Sequence, residues 1–416
     1  MKVVIINRSD SIGGAAIASH RLLHALIDEG VEVHLLVIDK QLTDDPAVVT
    51  VGNCLNNKWN FLTERISIAL RTGLNRDTLF KIDPATHGLN LSRHPLVKDA
   101  DVIVLGWINQ GMLSLKGVEQ LAALGKPVIW VMHDMWNCTG VCHHSIDCTA
   151  FQSTCQACPL LGGKANDLST DTQHRKAELY RKYPNIHFVA VSNWLRRQCR
   201  ESSLMSKYDV SVIPNAFPIE KFTPQRLPNS DYGIDPDKKV MVMGAARLDD
   251  PVKGFDTLID TTKYIASVMP DLAQRLHLLL FGGIKDASLL EQIALPYTHL
   301  GTVNDVTRVY TYADVVLSTA QRESFGLTLL EGLACGCVPV TFGKGGQDDI
   351  VDHLNTGYVA MFQEPADMAH GIAWAIDAPV TRQQLHQAAA QKFDAGIIAR
   401  QFVELFESLL AKSPQG

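Results

Sequence analysis

The chain reads as an α/β protein built from two successive doubly wound, Rossmann-like domains. Three observations predict this. Its 416 residues suit two domains at roughly 100–200 residues each. Short apolar runs of strand length alternate with helical patterns, which implies parallel sheets with helical crossovers. The alternation occurs in two series, one on each side of Ser206–Asp209.

Taken in order, the first series opens with a strand at Val3–Ile6, a turn at Ser11-Ile12-Gly13-Gly14 and a helical stretch from Ala15 to about Ile27. Ile17, Leu22, Leu23, Leu26 and Ile27 share one broad face of that helix. A strand at Val31–Val37 completes a βαβ unit. Further buried strands are predicted at Val102–Leu105, Pro127–Met132 and His187–Val191. The second series starts near Val210–Ile213 and continues at Val240–Met243, Leu278–Phe281, Val315–Leu317 and Val338–Thr341. The predicted domains are therefore residues 1–206, with a cysteine-rich insert at 138–159, and residues 207–392. Residues 393–416 are expected to return to the first domain as a helix. Its amphipathic part, from about Asp394 to Leu410, carries Ile397, Ile398, Phe402, Leu405, Phe406 and Leu409.

Hydrophobic residues make up 46% of the chain and charged residues 20%, so each half can bury a core. A net charge of −6 argues against a nucleic-acid partner, which usually meets a basic surface. The opening run Val3–Ile6 is too short for a signal peptide. No stretch reaches the ~20 apolar residues of a membrane span. The expected location is cytoplasmic, at most peripheral at the inner face of a membrane.

The segment Arg322-Glu323-Ser324-Phe325-Gly326-Leu327-Thr328-Leu329-Leu330-Glu331-Gly332 holds two glutamates eight positions apart. The first is predicted in a loop after a strand, the second about one turn into a helix. A helix starting near Gly326 presents free N–H groups and a positive dipole end, which suit a diphosphate. Glu331 suits a ribose diol and Glu323 the hydroxyls of a sugar, because a carboxylate accepts hydroxyl donors well. The spacing alone fits equally a surface glutamate and a helix-stabilising one. Arg247 and Lys253 follow another predicted strand and suit phosphate neutralisation, Arg as a planar fork and Lys as a point charge. Two solvated cations would look the same in sequence.

These elements together resemble the retaining glycosyltransferases of GT-B fold called family 4, or group 1. The resemblance rests on Glu323-Ser324-Phe325-Gly326 with Glu331, and on Ala334-Cys335-Gly336-Cys337-Val338-Pro339-Val340. It also rests on Arg247-Leu248 with Lys253-Gly254, on Ile213-Pro214-Asn215-Ala216, and on Gly345-Gly346-Gln347-Asp348-Asp349-Ile350-Val351. Ala216 and Ser324 stand where the family usually has glycine. The resemblance implies two Rossmann-like domains facing across a cleft and a nucleoside diphosphate sugar as donor. Arg247 and Lys253 would hold the diphosphate, and Glu331 the ribose. Glu323 would contact the sugar, and the backbone of Phe325, Gly326 and Leu327 would help seat the donor.

In the first half, Gly13-Gly14 resembles the family's loop facing the donor phosphates. It lacks the glycine spacing of a dinucleotide fold. The resemblance places His133 near the reacting sugar, so His133 and Glu323 are the residues expected at the reaction centre. A hydrogen-bonded structural histidine is the plain alternative. Asn109 resembles an acceptor contact, and Ser192-Asn193-Trp194 a structural element. Retention of configuration is implied, with the leaving diphosphate stabilised electrostatically and no enzyme nucleophile assigned. Asp99-Ala100-Asp101 reads as a helix end and strand start, so no catalytic metal is expected.

Nine cysteines are many for a reducing compartment, and five fall between Cys138 and Cys158. Cys142, Cys148, Cys155 and Cys158 are the expected ligands of a structural zinc. Free buried thiols or disulfides fit the same spacing. His133-Asp134-Met135-Trp136, Thr139-Gly140-Val141-Cys142 and Cys155-Gln156-Ala157-Cys158-Pro159 resemble an insert in polysaccharide transferases of the colanic-acid type. That resemblance implies a glycan or lipid-linked glycan acceptor. Trp59, Phe61, Leu62, Ile66, Ile68 and Leu70 among Lys58, Arg65, Arg71 and Arg76 fit either a helix on a membrane surface or one packed on its domain. A phosphorylase of the glycogen type would need a pyridoxal-lysine site, for which there is no signal. A catalytically silent sugar-nucleotide binder or scaffold is the alternative from another class, and the intact set Arg247, Lys253, Glu323 and Glu331 argues against it.

Overall fold

The computed structural model describes residues 1–72, 78–163 and 167–412. The chain divides into two compact units: Met1–Phe217 with Ala395–Gly416, and Pro218–Asp394. Both are Rossmann-like α/β units built on parallel sheets.

The first sheet contains β1 (Lys2–Ile6), β2 (Glu32–Val37), β3 (Val48–Thr50), β4 (Val102–Leu105), β5 (Val128–Met132), β6 (Ile186–Ala190) and β7 (Val210–Val212). Their order is β3-β2-β1-β4-β5-β6-β7, with every pair parallel. The central strands β4 and β5 are Val-Ile-Val-Leu and Val-Ile-Trp-Val-Met, buried throughout. Helices on both faces of a parallel sheet demand such continuous apolar runs.

The second sheet contains β8 (Lys239–Arg247), β9 (Leu276–Gly283), β10 (Tyr297–His299), β11 (Val315–Ser318), β12 (Val338–Phe342) and β13 (Tyr358–Ala360). Its order is β10-β9-β8-β11-β12-β13, again parallel. The strand order reverses between β1 and β4 in one unit and between β8 and β11 in the other. At such a switch point the flanking connections leave on opposite faces, which opens a crevice at the carboxyl ends of the strands.

One boundary moves. Val210–Ile213, expected to open the second domain, instead contributes β7, whose Val210 and Val212 pair with Phe188 and Ala190 of β6. The first unit therefore runs to Phe217 rather than to residue 206. A short apolar run carries no mark of the sheet whose edge will satisfy its N–H and C=O groups. The closing helix Ala395–Lys412 buries Ile398, Phe402, Phe406 and Leu409 and packs on the helix Gly14–Asp28. No helix among the described residues is long and apolar enough to cross a membrane.

Candidate functional site

In the second unit the charged residues gather at the switch point. Arg247 is the last residue of β8, and Lys253 lies in the turn Pro251–Lys253 that follows. Gly254 next adopts φ 65°, and a Cβ there would stand 2.0 Å from the carbonyl oxygen of Thr319. Only glycine permits that approach. The Thr319 hydroxyl donates to the Lys253 carbonyl at 3.0 Å, and the Gln321 N–H to that of Val252 at 2.8 Å. These bonds fasten the β8 turn to the loop leaving β11. In consequence Lys253 Nζ lies 2.8 Å from Glu323 Oε2. The charge of Glu323 raises the Lys253 pKa, so the ammonium stays protonated. Arg247 pairs with Asp249 at 3.3 Å and Asp250 at 3.7 Å.

Gly326, at φ 105°, caps the helix Leu327–Ala334, whose opening N–H groups point out of its N-terminus. The loop before it is tied to Gly345-Gly346: the Gly346 N–H donates to the Glu323 carbonyl at 2.7 Å. A Cβ on Gly346 would meet the Ser324 carbonyl at 2.1 Å. Two buried polar atoms in this cradle, Ser324 Oγ and Gln347 Oε1, have no protein partner. Glu331 lies one turn into the helix and is 8% exposed. The Tyr310 hydroxyl donates to its Oε2 at 3.5 Å, a contact that sequence spacing did not reveal. The Phe325 side chain turns into the core, edge-on to Phe393 at 5.7 Å, so this residue offers a ligand only its backbone.

In the first unit Gly13, at φ 89°, caps the helix Gly14–Asp28 in open space. Asn7 Oδ1 accepts the Trp107 N–H at 2.6 Å and so links the loops leaving β1 and β4. His133 follows β5 and lines a small cleft with Ser19, Gly106, Asn215 and Ala216. Burial pulls its imidazole down to about 4, against a smaller opposing pull from Asp134, so it is neutral at pH 7. Asn109 is only 2% exposed and its Nδ2 has no protein partner, so it is held inside the fold rather than presented on the surface. Asp134 Oδ2 accepts Trp107 Nε1 at 2.9 Å and contacts His143 Nδ1 at 2.8 Å. Although burial opposes its charge, those His143 interactions and the Trp136 N–H hold Asp134 far below the usual carboxylate range. Asp99 and Asp101 end a helix and precede β4 as expected, binding the Lys2 ammonium and the Lys2 N–H.

Residues 229–392 match the family model described as glycosyl transferases group 1. The chain is similar to group 1 glycosyl transferases over that segment. It is a glycosyltransferase, in the EC 2.4 class. It is 24% identical over 398 residues to a D-inositol 3-phosphate glycosyltransferase of Pseudarthrobacter chlorophenolicus, covering 92% of this chain and 86% of that one. Among solved structures it resembles Anabaena HepE in complex with UDP and glucose, with a TM-score of 0.59, 18% identity and coverage of 98% and 100%. It also resembles WaaG, a glycosyltransferase involved in lipopolysaccharide biosynthesis, with a TM-score of 0.57, 16% identity and 100% coverage of both chains. These structural likenesses support the GT-B fold.

The cysteine-rich insert of this glycosyltransferase is organised by a residue that sequence reasoning missed. Lys176, on the helix Leu168–Lys182, is fully buried. Its Nζ donates to the carbonyls of Trp136, Thr139 and Gly140 at 2.5, 3.2 and 3.0 Å and sits 3.5 Å from the Trp136 ring centroid. Burial draws its pKa down to about 7, opposed by the neighbouring Cys142 and Cys155. All nine cysteines are unbridged. Burial pushes the thiols of Cys142 and Cys158 up to about 12 and about 11. Among the described residues, Cys142, Cys148, Cys155 and Cys158 supply no group of three sulfurs within 4.8 Å of one another.

Proposed function

We propose that this glycosyltransferase moves a sugar from a nucleoside diphosphate sugar, with retention of configuration, to a glycan or lipid-linked glycan of the cell surface, in polysaccharide synthesis of the colanic-acid type. One observation carries the donor reading: Arg247, Lys253 and Glu323 flank the β8–β11 switch point, beside a helix N-terminus and two partnerless buried polar atoms. Lys253 and Arg247 take the diphosphate, whose two charges displace their present carboxylate partners. Glu323, released from Lys253, accepts sugar hydroxyls, and Glu331 the ribose diol. Negative charge grows on the leaving diphosphate in the transition state, where these cations and the helix end stabilise it. The roles of His133, Gly13, Gly14 and Asn109 rest on the family resemblance. The structure of HepE with UDP and glucose supports UDP as the first nucleotide to try. UDP, GDP and ADP are compared by thermal shift. One of them at 100 times its Kd should add about 2.7 kcal/mol to the folded state, and this gain should shrink in Glu331→Gln. No shift with any nucleotide would remove the donor site.

The lipid-linked acceptor is favoured by the helix Cys54–Arg71. Leu55, Trp59, Leu62, Ile66 and Leu70 form one exposed stripe along it, with Trp59 65% exposed. Lys58 and Arg71 are also exposed, whereas Arg65 is buried against Asp83 at 2.9 Å and is no surface cation. Phe61 is half-buried and Ile68 buried, so both leave the stripe, and Arg76 lies outside the described residues. This pattern suits an anionic lipid surface. Leu62→Asp with Ile66→Asp should lower co-sedimentation with anionic vesicles by at least ~10-fold, since each side chain contributes about 1.5–3 kcal/mol when buried. Unchanged sedimentation would refute the membrane contact.

A further inference from the structure

A second cluster lies on the far side of the first unit's sequence from the cysteines. His20 and His24 are four residues apart on the helix Gly14–Asp28, so their side chains share one face. Asp45, in the connection between β2 and β3, reaches both. Its Oδ2 lies 2.9 Å from His20 Nε2 and 2.8 Å from His24 Nε2. The two imidazole rings meet edge-on, with centroids 4.6 Å apart. All three ligand atoms lie within 4.8 Å of one another, and among the described residues no other group of three does.

We propose that His20, His24 and Asp45 form a binding site for a divalent ion of the zinc type. Two imidazole nitrogens four residues apart on a helix and one carboxylate oxygen form a donor set that zinc favours, at about 2.0–2.2 Å per ligand. The three donor atoms already face one another within 4.8 Å, a separation that one shared ion can bridge. Asp45 is already held in place. Its Oδ1 accepts the Ala47 N–H at 3.0 Å, and its carbonyl accepts Lys40 Nζ at 2.8 Å and the Val48 N–H at 3.3 Å. Such outer contacts fix a ligating carboxylate. The Lys40 ammonium is held by the carbonyls of Asp45 and Val48. The side chains are 23%, 48% and 12% exposed, so an ion can enter from solvent and a fourth position stays open to water. A histidine–aspartate hydrogen-bond cluster without metal is the rival reading.

The ion would staple the β2–β3 connection to the helix that begins at Gly13-Gly14. It would act structurally, and the inference is independent of the donor assignment. The test uses the full-length protein stripped with a chelator and then dialysed against zinc. Zinc per chain is measured by elemental analysis for wild type, Asp45→Asn and His24→Ala. Wild type should hold one equivalent more than either variant, whatever the cysteines retain. Zinc should also raise the Tm of wild type more than that of the variants. With cobalt in place of zinc, the wild-type-minus-variant spectrum should lack a thiolate charge-transfer band. Circular dichroism and Tm in chelator confirm that each variant folds, and His24, about half exposed, serves where Asp45→Asn does not. Equal metal content in wild type and a folded variant would overturn the site.

Discussion

Lys253→Ala is expected to slow sugar release from the nucleotide donor about 100- to 1,000-fold, the loss seen when one preorganised group facing transition-state charge is removed. The reason is specific to this site. Lys253 is carried on a turn that Gly254 and Thr319 fasten to the β11 loop, which holds its ammonium beside Glu323. Its removal also leaves Glu323 without its 2.8 Å counter-ion, and that carboxylate then repels the incoming diphosphate. Lys253→Arg keeps the charge but not the reach, and should recover part of the rate. Stability should change by no more than about 1 kcal/mol, because the pair is partly solvated. Release of nucleoside diphosphate measured beside Tm separates the two effects. Equal rates in wild type and Lys253→Ala would sink the donor assignment.

Lys176→Met should cost about 3–5 kcal/mol of stability, because three buried carbonyls lose their shared donor. Methionine fills a similar volume but donates nothing to the carbonyls of Trp136, Thr139 and Gly140. Each buried acceptor so abandoned costs about 1–3 kcal/mol. The contact with the Trp136 ring is lost as well. Calorimetry of the purified variant should show its unfolding transition lower by about 10 °C, at roughly 2–4 °C per kcal/mol for a unit of this size. A shift under about 2 °C would show that the insert does not depend on this ammonium.

Much of the fold was legible because buried parallel strands announce themselves. Val102–Leu105 was located to the residue, and the runs at Val240, Leu278, Val315 and Val338 each lie inside an observed strand. The strands that escaped, β3, β10 and β13, have three residues each and lie at or beside sheet edges, where half-exposed residues such as Tyr297 and Thr298 leave no apolar run. β7 was seen but given to the wrong domain, because a run of three residues does not encode its partner. In the site, the types and order of Arg247, Lys253, Glu323 and Glu331 were visible, whereas the Lys253–Glu323 contact joins residues 70 apart in sequence.

By itself the sequence determined two parallel α/β units, the strand ends that carry charge, and the glycines that free the backbone at those ends. These follow from periodicity and residue chemistry, which act over a few neighbouring positions. Only the tertiary structure decided that Phe325 is core, that Arg65 is paired inside, that Lys176 is the centre of the cysteine-rich insert, and that His20, His24 and Asp45 meet. Such facts depend on which distant segments pack together. Burial sets their electrostatics, and burial is a property of the assembled chain rather than of any stretch of it.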